Sequence, residues 1–195
     1  NALIINANGA NVSGANSLRI SSGLIGVRGA NNTISTTTLD FGANTALFPV
    51  QIGSSLAVSS AISGTLGLTK IGTGTFTATG LNSALANVVV NAGTLAVGGN
   101  LTVTNLFVNV GGGVAFSSGT LTVRGTAGIS NGLDFVVGNG LNAATLKVLG
   151  SVSAQADVVV SSNAVLLGTG TITAGHPTVA AQGFPDSTSI EEQAR

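Results

Sequence analysis

The chain has 195 residues, and its six basic and six acidic residues give a net charge of zero; charged residues make up 6% of it, against roughly 25% in an average soluble domain. No basic patch suits nucleic acid or anionic lipid. Hydrophobic residues make up 44%, which argues against disorder, and no window holds the about 18 apolar residues of a membrane span. Cysteine is absent, which excludes disulfides. The dispersed cations are Arg19, Arg28, Lys70, Arg124, Lys147 and Arg195.

The N-terminal third consists of short apolar runs separated by small-residue corners. The first run is Ala2 to Asn6, and a turn rich in Asn and Gly follows it. These residues enter left-handed backbone conformations at low cost, so they suit corners. Beyond the turn, apolar residues alternate with polar ones at Leu18, Ile20, Leu24, Ile25, Val27, Ile34, Leu39, Phe41, Leu47, Phe48, Val50, Ile52, Leu56 and Val58.

The stretch 61–99 shows the same pattern most clearly. Three or four residues alternate between apolar and small polar types, a Gly, Asn or Ser corner follows, and another run begins. This is the period of a strand with one buried face. The apolar positions are Leu66, Leu68, Phe76, Val88, Val90, Leu95 and Val97.

The alternation continues to residue 175, with glycine-rich corners at 98–100, 111–113 and 117–119. Before the tail, no segment has the apolar spacing of a surface helix, and glycine recurs too often for one to form. The pattern therefore predicts an all-β chain. Its apolar positions are Leu101, Val103, Leu106, Val108, Val110, Val114, Phe116, Leu121, Val123, Leu133, Phe135, Val137, Leu146, Val148, Val158, Val160, Val165 and Leu167.

Short strands with single-glycine corners favour coiling over hairpins, which would have longer strands and Asn-Gly turns, although a sandwich or jelly roll stays open. We predict a single-stranded β-solenoid, or parallel β-helix, over residues 1–175. Corners about 18 to 22 residues apart predict about ten short rungs and a rod of about 45 to 50 Å. Residues 176–195 are predicted to be a non-solenoid tail, a cap, a linker or a docking peptide, because the alternating pattern ends there. Ser189 and Glu192 have the spacing of a capping box for a short helix.

The sequence GLTKIGTGTFTATG (67–80), followed by VVVNAGTLAVGG (88–99), closely resembles the autotransporter-associated β-strand repeat. In that family a Leu-x-Lys-x-Gly-x-Gly-Thr run precedes a strand, and Asn-Ala-Gly-Thr-Leu opens the next rung. AVLLGTGTITAG (164–175) resembles the family's LGGTGTI element, but the Pro-Gly element that often follows it is replaced here. The resemblance implies a passenger-type β-helix, secreted or displayed on a bacterial surface within a very large adhesive or scaffolding protein.

Few residues could carry chemistry. His176 is the only histidine, and Asp186 is the nearest acid along the chain, so we interpret His176 as a polar residue at an exit turn. Three carboxylates, Asp40, Asp134 and Asp157, have strand-like contexts but lie 94 and 23 positions apart. Glycoside hydrolysis takes two carboxylates at a controlled separation. We therefore predict no catalytic, cofactor-binding or metal-binding residue, and no enzyme activity.

Threonines alternate along several predicted strands. If these faces align, they form a flat surface that resembles the ice-binding face of some β-solenoids. The simpler interpretation is that threonine is a good polar strand former for an outward face. The alternating sets are Thr73, Thr75, Thr77 and Thr79; Thr102 and Thr104; Thr120 and Thr122; and Thr169, Thr171 and Thr173.

The expected function is mechanical: a non-catalytic extracellular β-solenoid that acts as a stalk, fibre, scaffold or adhesin, either secreted or on a bacterial cell surface. Open solenoid ends expose unpaired strands that invite stacking. The expected partner is therefore another copy of the chain, end to end or laterally, or a surface or carbohydrate ligand, and neither nucleic acid, cofactor nor membrane insertion is expected. The alternatives are a carbohydrate-active β-helix enzyme and an ice-binding or other flat-surface binder.

Overall fold

The structure is a computed structural model that describes residues 1–80, 83–175 and 178–179. These residues form strands, turns and bends but no helix, which confirms the predicted all-β class. The strands, in chain order, are β1 (Leu3–Asn6), β2 (Asn11–Gly14), β3 (Leu18–Arg19), β4 (Ile25–Arg28), β5 (Asn32–Thr36), β6 (Thr38–Pro49), β7 (Ser55–Val58), β8 (Ala61–Ile71), β9 (Thr75–Ala78), β10 (Ser83–Val90), β11 (Gly93–Val97), β12 (Leu101–Val108), β13 (Gly112–Phe116), β14 (Gly119–Val123), β15 (Thr126–Ile129), β16 (Phe135–Val137), β17 (Ala144–Val148), β18 (Ser151–Ala154), β19 (Val158–Val160), β20 (Ala164–Gly168), β21 (Thr171–Thr173) and β22 (Thr178–Val179).

The strands pair in parallel and build a three-sided coil. Face 1 contains β1, β4, the second halves of β6, β8, β10 and β12, and then β15, β18 and β21. Face 2 contains β2, β5, β7, β9, β11, β13, β16, β19 and β22. Face 3 contains β3, the first halves of the four long strands, and then β14, β17 and β20. The chain passes from face 1 to face 2 at the first corner, from face 2 to face 3 at the second, and from face 3 to face 1 at the third.

The coil makes about eight turns, so the predicted count of ten was too high. Partners lie 18 residues apart where Leu85 pairs with Val103 but 25 apart where Leu121 pairs with Leu146. The longer turns contain loops at the first and second corners, at 130–134 and 138–143. At about 4.8 Å per turn the rod is about 40 Å long.

The last strand, β22, lies beyond residue 175 and pairs with β19. His176 and the Ser189 to Glu192 capping box lie outside the described residues.

The long strands bend at the third corner because two successive residues face outwards there. In β12 the inward alternation of Leu101 and Val103 resumes at Leu106, after Thr104 and Asn105. In β10 the same step falls at 86–87. The two corner asparagines stack: Asn105 Nδ2 donates to Asn87 Oδ1 at 2.8 Å. Each of these strands therefore alternates with a period of two on both sides of the third corner. The strand bends at the corner, where the alternation is interrupted.

The interior is a set of apolar columns that cross the turns. Three phenylalanines contact one another within it: the rings of Phe48 and Phe76 stack with centroids 4.3 Å apart, and Phe41 meets Phe48 edge-on at 5.8 Å. All three side chains are fully buried. A void of about 10 Å³ beside Phe76 is at the lower limit for one water molecule. This part of the interior is therefore packed core with no space for a ligand.

Candidate functional site

The structure brings two of the three highlighted carboxylates together. Asp134 and Asp157 precede β16 and β19 on adjacent turns, and the Asp157 backbone N–H donates to Asp134 Oδ1 at 3.2 Å. Asp40 lies apart from them, on face 3, where its Oδ2 is 3.6 Å from Nε of the exposed Arg19. The Asp134 carboxylate therefore binds the backbone of Asp157, whereas the Asp40 carboxylate forms a surface ion pair.

A shallow surface groove of about 330 Å³ lies elsewhere, across the first three turns. Among the described residues, Arg28 is the only charged side chain that lines it and no carboxylate does, so these residues do not supply the acid pair that glycoside hydrolysis takes. Its lining residues are Ile4, Asn6, Gly26, Val27, Arg28, Pro49 and Gln51.

The predicted threonine rows are short where the strand register can be followed. On face 2, Thr75 stacks on Thr94, and this pair is flanked by Ser55 and Gly113. Two residues further along β9, Thr77 lies between two alanines. On face 3, Thr102 pairs with Thr122, but the next partner is Lys147. These faces combine threonine with serine, alanine, glycine and lysine, so each row ends after two threonines.

The unexpected feature is Lys70, whose side chain is fully buried. It occupies an inward position near the end of β8, where its strand neighbours across the ladder are Phe48 and Val90. Its Nζ atom donates to three carbonyl oxygens at the first corner, those of Ile71, Gly72 and Ala92, at 2.9, 2.5 and 3.1 Å. The first two belong to turn four and the third to turn five. One amino group thus binds two successive turns from inside the core.

Among the residues that the structure describes, no carboxylate is bonded to Lys70. Its bonds are to neutral carbonyls, so the charged form loses its hydration without gaining an opposite charge. Burial lowers the pKa of Lys70 from 10.5 to about 8. Apart from Lys70, the buried polar side chains are Asn32, Ser54 and Ser60. Among the described residues, Lys70 is the one ionisable residue whose side chain is buried.

Uncharged side chains make comparable bonds elsewhere along the first corner. Asn109 Nδ2 donates to Asn91 Oδ1 at 2.7 Å across turns five and six, and Asn131 Nδ2 donates to the Gly112 carbonyl at 2.8 Å one turn later. Near the N-terminus, Ser54 Oγ accepts from a backbone N–H of the preceding turn. Sequence reasoning identified the corners but not these side-chain bonds, because Asn and Ser also suit corners for purely local reasons. The burial of Lys70 could have been predicted from the alternation of its strand. In that alternation Lys70 occupies a position that faces inwards.

Glycine is needed beside Lys70 for two distinct reasons, which two substitutions separate. Gly93 has a φ of 69°, and a Cβ there would overlap the carbonyl oxygens of Gly72 and Gly74. Gly53 has the same φ, but a Cβ there would meet nothing within 4 Å. We expect Gly53→Ala to cost about 1 kcal/mol through backbone strain alone, and Gly93→Ala to cost about 2 to 3 kcal/mol. Urea unfolding of both variants measures the difference; equal losses would contradict the overlap.

Comparisons with known proteins add no family or relative to this description. Among the described residues, no group of three His, Cys, Asp or Glu side chains could hold a metal ion, and no helix is long and apolar enough to cross a membrane. A scan against models of protein families, a search of curated proteins and a search of solved structures each found no match.

Proposed function

We propose that this chain is a non-catalytic extracellular β-solenoid that serves as a rigid structural or adhesive module and joins to further coils through its ends. The observation that carries the proposal is the state of the two ends. Within the described residues, the inner columns and strand ladders run through the whole coil, and the strands of the first and last turns have a partner on one side only. The resemblance of residues 67–99 to autotransporter-associated repeats supports the extracellular setting.

Each end of the described part of the coil presents strands that pair on one side only. At the N-terminal end these are β1, β2 and β3, and their inward residues Leu3, Val12 and Leu18 are half-buried. At the C-terminal end, β20 and β21 expose the inward residues Leu166 and Ile172 in the same way. Soluble proteins usually protect such edges with charges, proline or bulges. In these five strands the only charged residue is Arg19, which points outwards.

The two ends are complementary because the coil repeats itself. If the first turn of one copy stacks on the last turn of another, Leu18 continues the column that ends at Leu166, since both lie on face 3. Leu3 likewise continues the face 1 column of Ile25, Val108 and Ile129, whose last strand position is Ala154. Such head-to-tail contact uses different surfaces on the two copies and does not close, so it produces a filament.

Blocking one end tests this assembly. Leu3→Lys places a charge at an inward edge position, and we expect it to abolish association by burying an unpaired charge in the contact. The matched control is Ile4→Lys on the same strand, because Ile4 points outwards and is 60% exposed. Light scattering and negative-stain electron microscopy over a range of concentrations measure the outcome. Wild-type protein that stays monomeric throughout, or equal behaviour of the two variants, would contradict end-to-end stacking of copies.

The alternatives have less support. A carbohydrate-active enzyme would use a groove with two facing carboxylates, whereas the groove across turns one to three is separate from Asp134 and Asp157. An ice-binding face would use long threonine rows, whereas the pair Thr75 and Thr94 is followed by Gly113. A mechanical role requires only the continuous coil.

A further inference from the structure

We propose that Lys70 makes the first corner between turns four and five a proton-controlled joint, which opens more readily when the amino group is protonated. The coil would thus loosen at this point as the pH falls and tighten as it rises. This inference is independent of the proposed assembly, because it concerns the interior of the coil and not its ends.

The first step of the argument is the position of the amino group. The Lys70 side chain fills a place in an apolar column, between Phe48 and Val90, and is wholly shielded from solvent. The bonds to Ile71 and Gly72 hold its own turn, and the bond to Ala92 holds the next. Opening of this corner exposes the amino group to water, so protonation and opening are coupled.

The second step concerns charge. The strands packed around Lys70 are β6, β8, β9, β10 and β11, and their only other ionisable residue is Asp40. Asp40 lies on face 3 beside Arg19, and its ladder partner is Ser63, seven positions before Lys70 on β8. Within the described part of the chain no carboxylate therefore compensates the ammonium, and the lowered pKa of Lys70 agrees with this geometry. Water stabilises the charged form in the open state more than the three carbonyls do in the closed state.

The third step explains why this corner can open by itself. The segment around the amino group contains Gly72, Gly74 and Gly93, which contribute no side-chain packing. Thr73, between the first two, is exposed. Segments with few apolar contacts open at lower free energy than the surrounding core. On its corner side the ammonium is thus enclosed by glycine backbone and an exposed threonine, not by large apolar side chains.

The chain contains its own control for a labelling experiment, because its only two lysines are the buried Lys70 and the exposed Lys147. The full-length protein is treated with an amine-acylating reagent between pH 7 and 10.5, and the labelling rate of each lysine is measured by peptide mass spectrometry. The ratio of the Lys70 rate to the Lys147 rate removes the reactivity of the reagent and reports the open fraction. We expect this ratio to fall about a hundredfold from pH 7 to pH 10.5.

Three results would overturn the proposal. A ratio that is constant or rises with pH would show that the carbonyls hold the ammonium at least as well as water does. A ratio near one would show that Lys70 is not buried. An opening constant equal to the global unfolding constant from urea denaturation would show that no local joint exists.

Amide hydrogen exchange gives a second readout. The Asn91 N–H donates to the Lys70 carbonyl at 3.0 Å, whereas the remote Arg124 N–H donates to Val103 at 2.9 Å. After correction for intrinsic exchange rates, protection at Asn91 should weaken towards pH 7 relative to protection at Arg124. Lys70→Met, which keeps the length of the side chain, should remove that difference. A difference that persists in the variant would exclude Lys70 as its source.

Discussion

Phe76→Ala is expected to lower the free energy of unfolding by about 4 kcal/mol, since a fully buried aromatic ring leaves a cavity that a packed core fills only in part. The effect should lie at the upper end of the usual range. The ring of Phe76 stacks on Phe48 at 4.3 Å, and Phe48 in turn contacts Phe41. Removal of Phe76 therefore removes contacts from an aromatic cluster that spans successive turns. The existing void beside Phe76 adds to the new cavity. Urea denaturation measures the loss.

Phe107→Ala is the matched control for this substitution. Phe107 also lies in a central strand, but it points outwards and is 38% exposed. Its truncation removes partly solvated surface and should cost about 1 kcal/mol or less. If both variants lose similar stability, the core assignment of Phe76 is wrong.

Raising the pH from 7.5 to 10.5 is expected to increase the free energy of unfolding by up to about 3 kcal/mol. The sign follows from the two pKa values of Lys70. The folded state binds the proton with a pKa of about 8 and the unfolded state with the ordinary 10.5. Between these values the unfolded chain holds the proton and the folded chain does not, so stability rises with pH. The contribution is complete above 10.5 and is lost as the pH falls through 8.

The composition makes this measurement unusually clean. The chain contains no tyrosine or cysteine, and its other lysine, Lys147, is exposed. Urea titrations across the range should therefore show the slope in wild type and in Lys147→Met but not in Lys70→Met. A slope of opposite sign, or one that survives Lys70→Met, would contradict the assignment.

Alternation was enough to predict the fold because a period of two survives in nearly every strand of a coil. Leu101 and Val103, or Leu121 and Val123, are buried as their phase requires. The number of turns was less accessible, since loops such as 138–143 lengthen a turn without changing the pattern on either side. Sequence periodicity reports which residues face inwards, whereas the length of each turn depends on corners that have no period.

The candidate site was beyond sequence reasoning for a different reason. An inward lysine contradicts the rule that charged residues remain in water. Lys70 is tolerated because three carbonyls converge at one corner, and their convergence depends on Ala92, which lies 22 residues later in the chain. The hydrogen bond from the Asp157 N–H to Asp134 likewise depends on the number of residues in one turn. Both are products of the register between turns, which a linear pattern does not contain.

The eighteen-residue spacing in the middle of the coil has a consequence for how such a molecule can change. Val88 faces Leu106, and the corner residues Asn87 and Asn91 face Asn105 and Asn109. Because the residues from 87 to 91 are each followed eighteen positions later by a residue of like polarity, removal or duplication of eighteen residues here keeps their inward positions inward. Recombination can then change the length of the rod by whole turns of about 4.8 Å each. The cross-section of the coil stays the same.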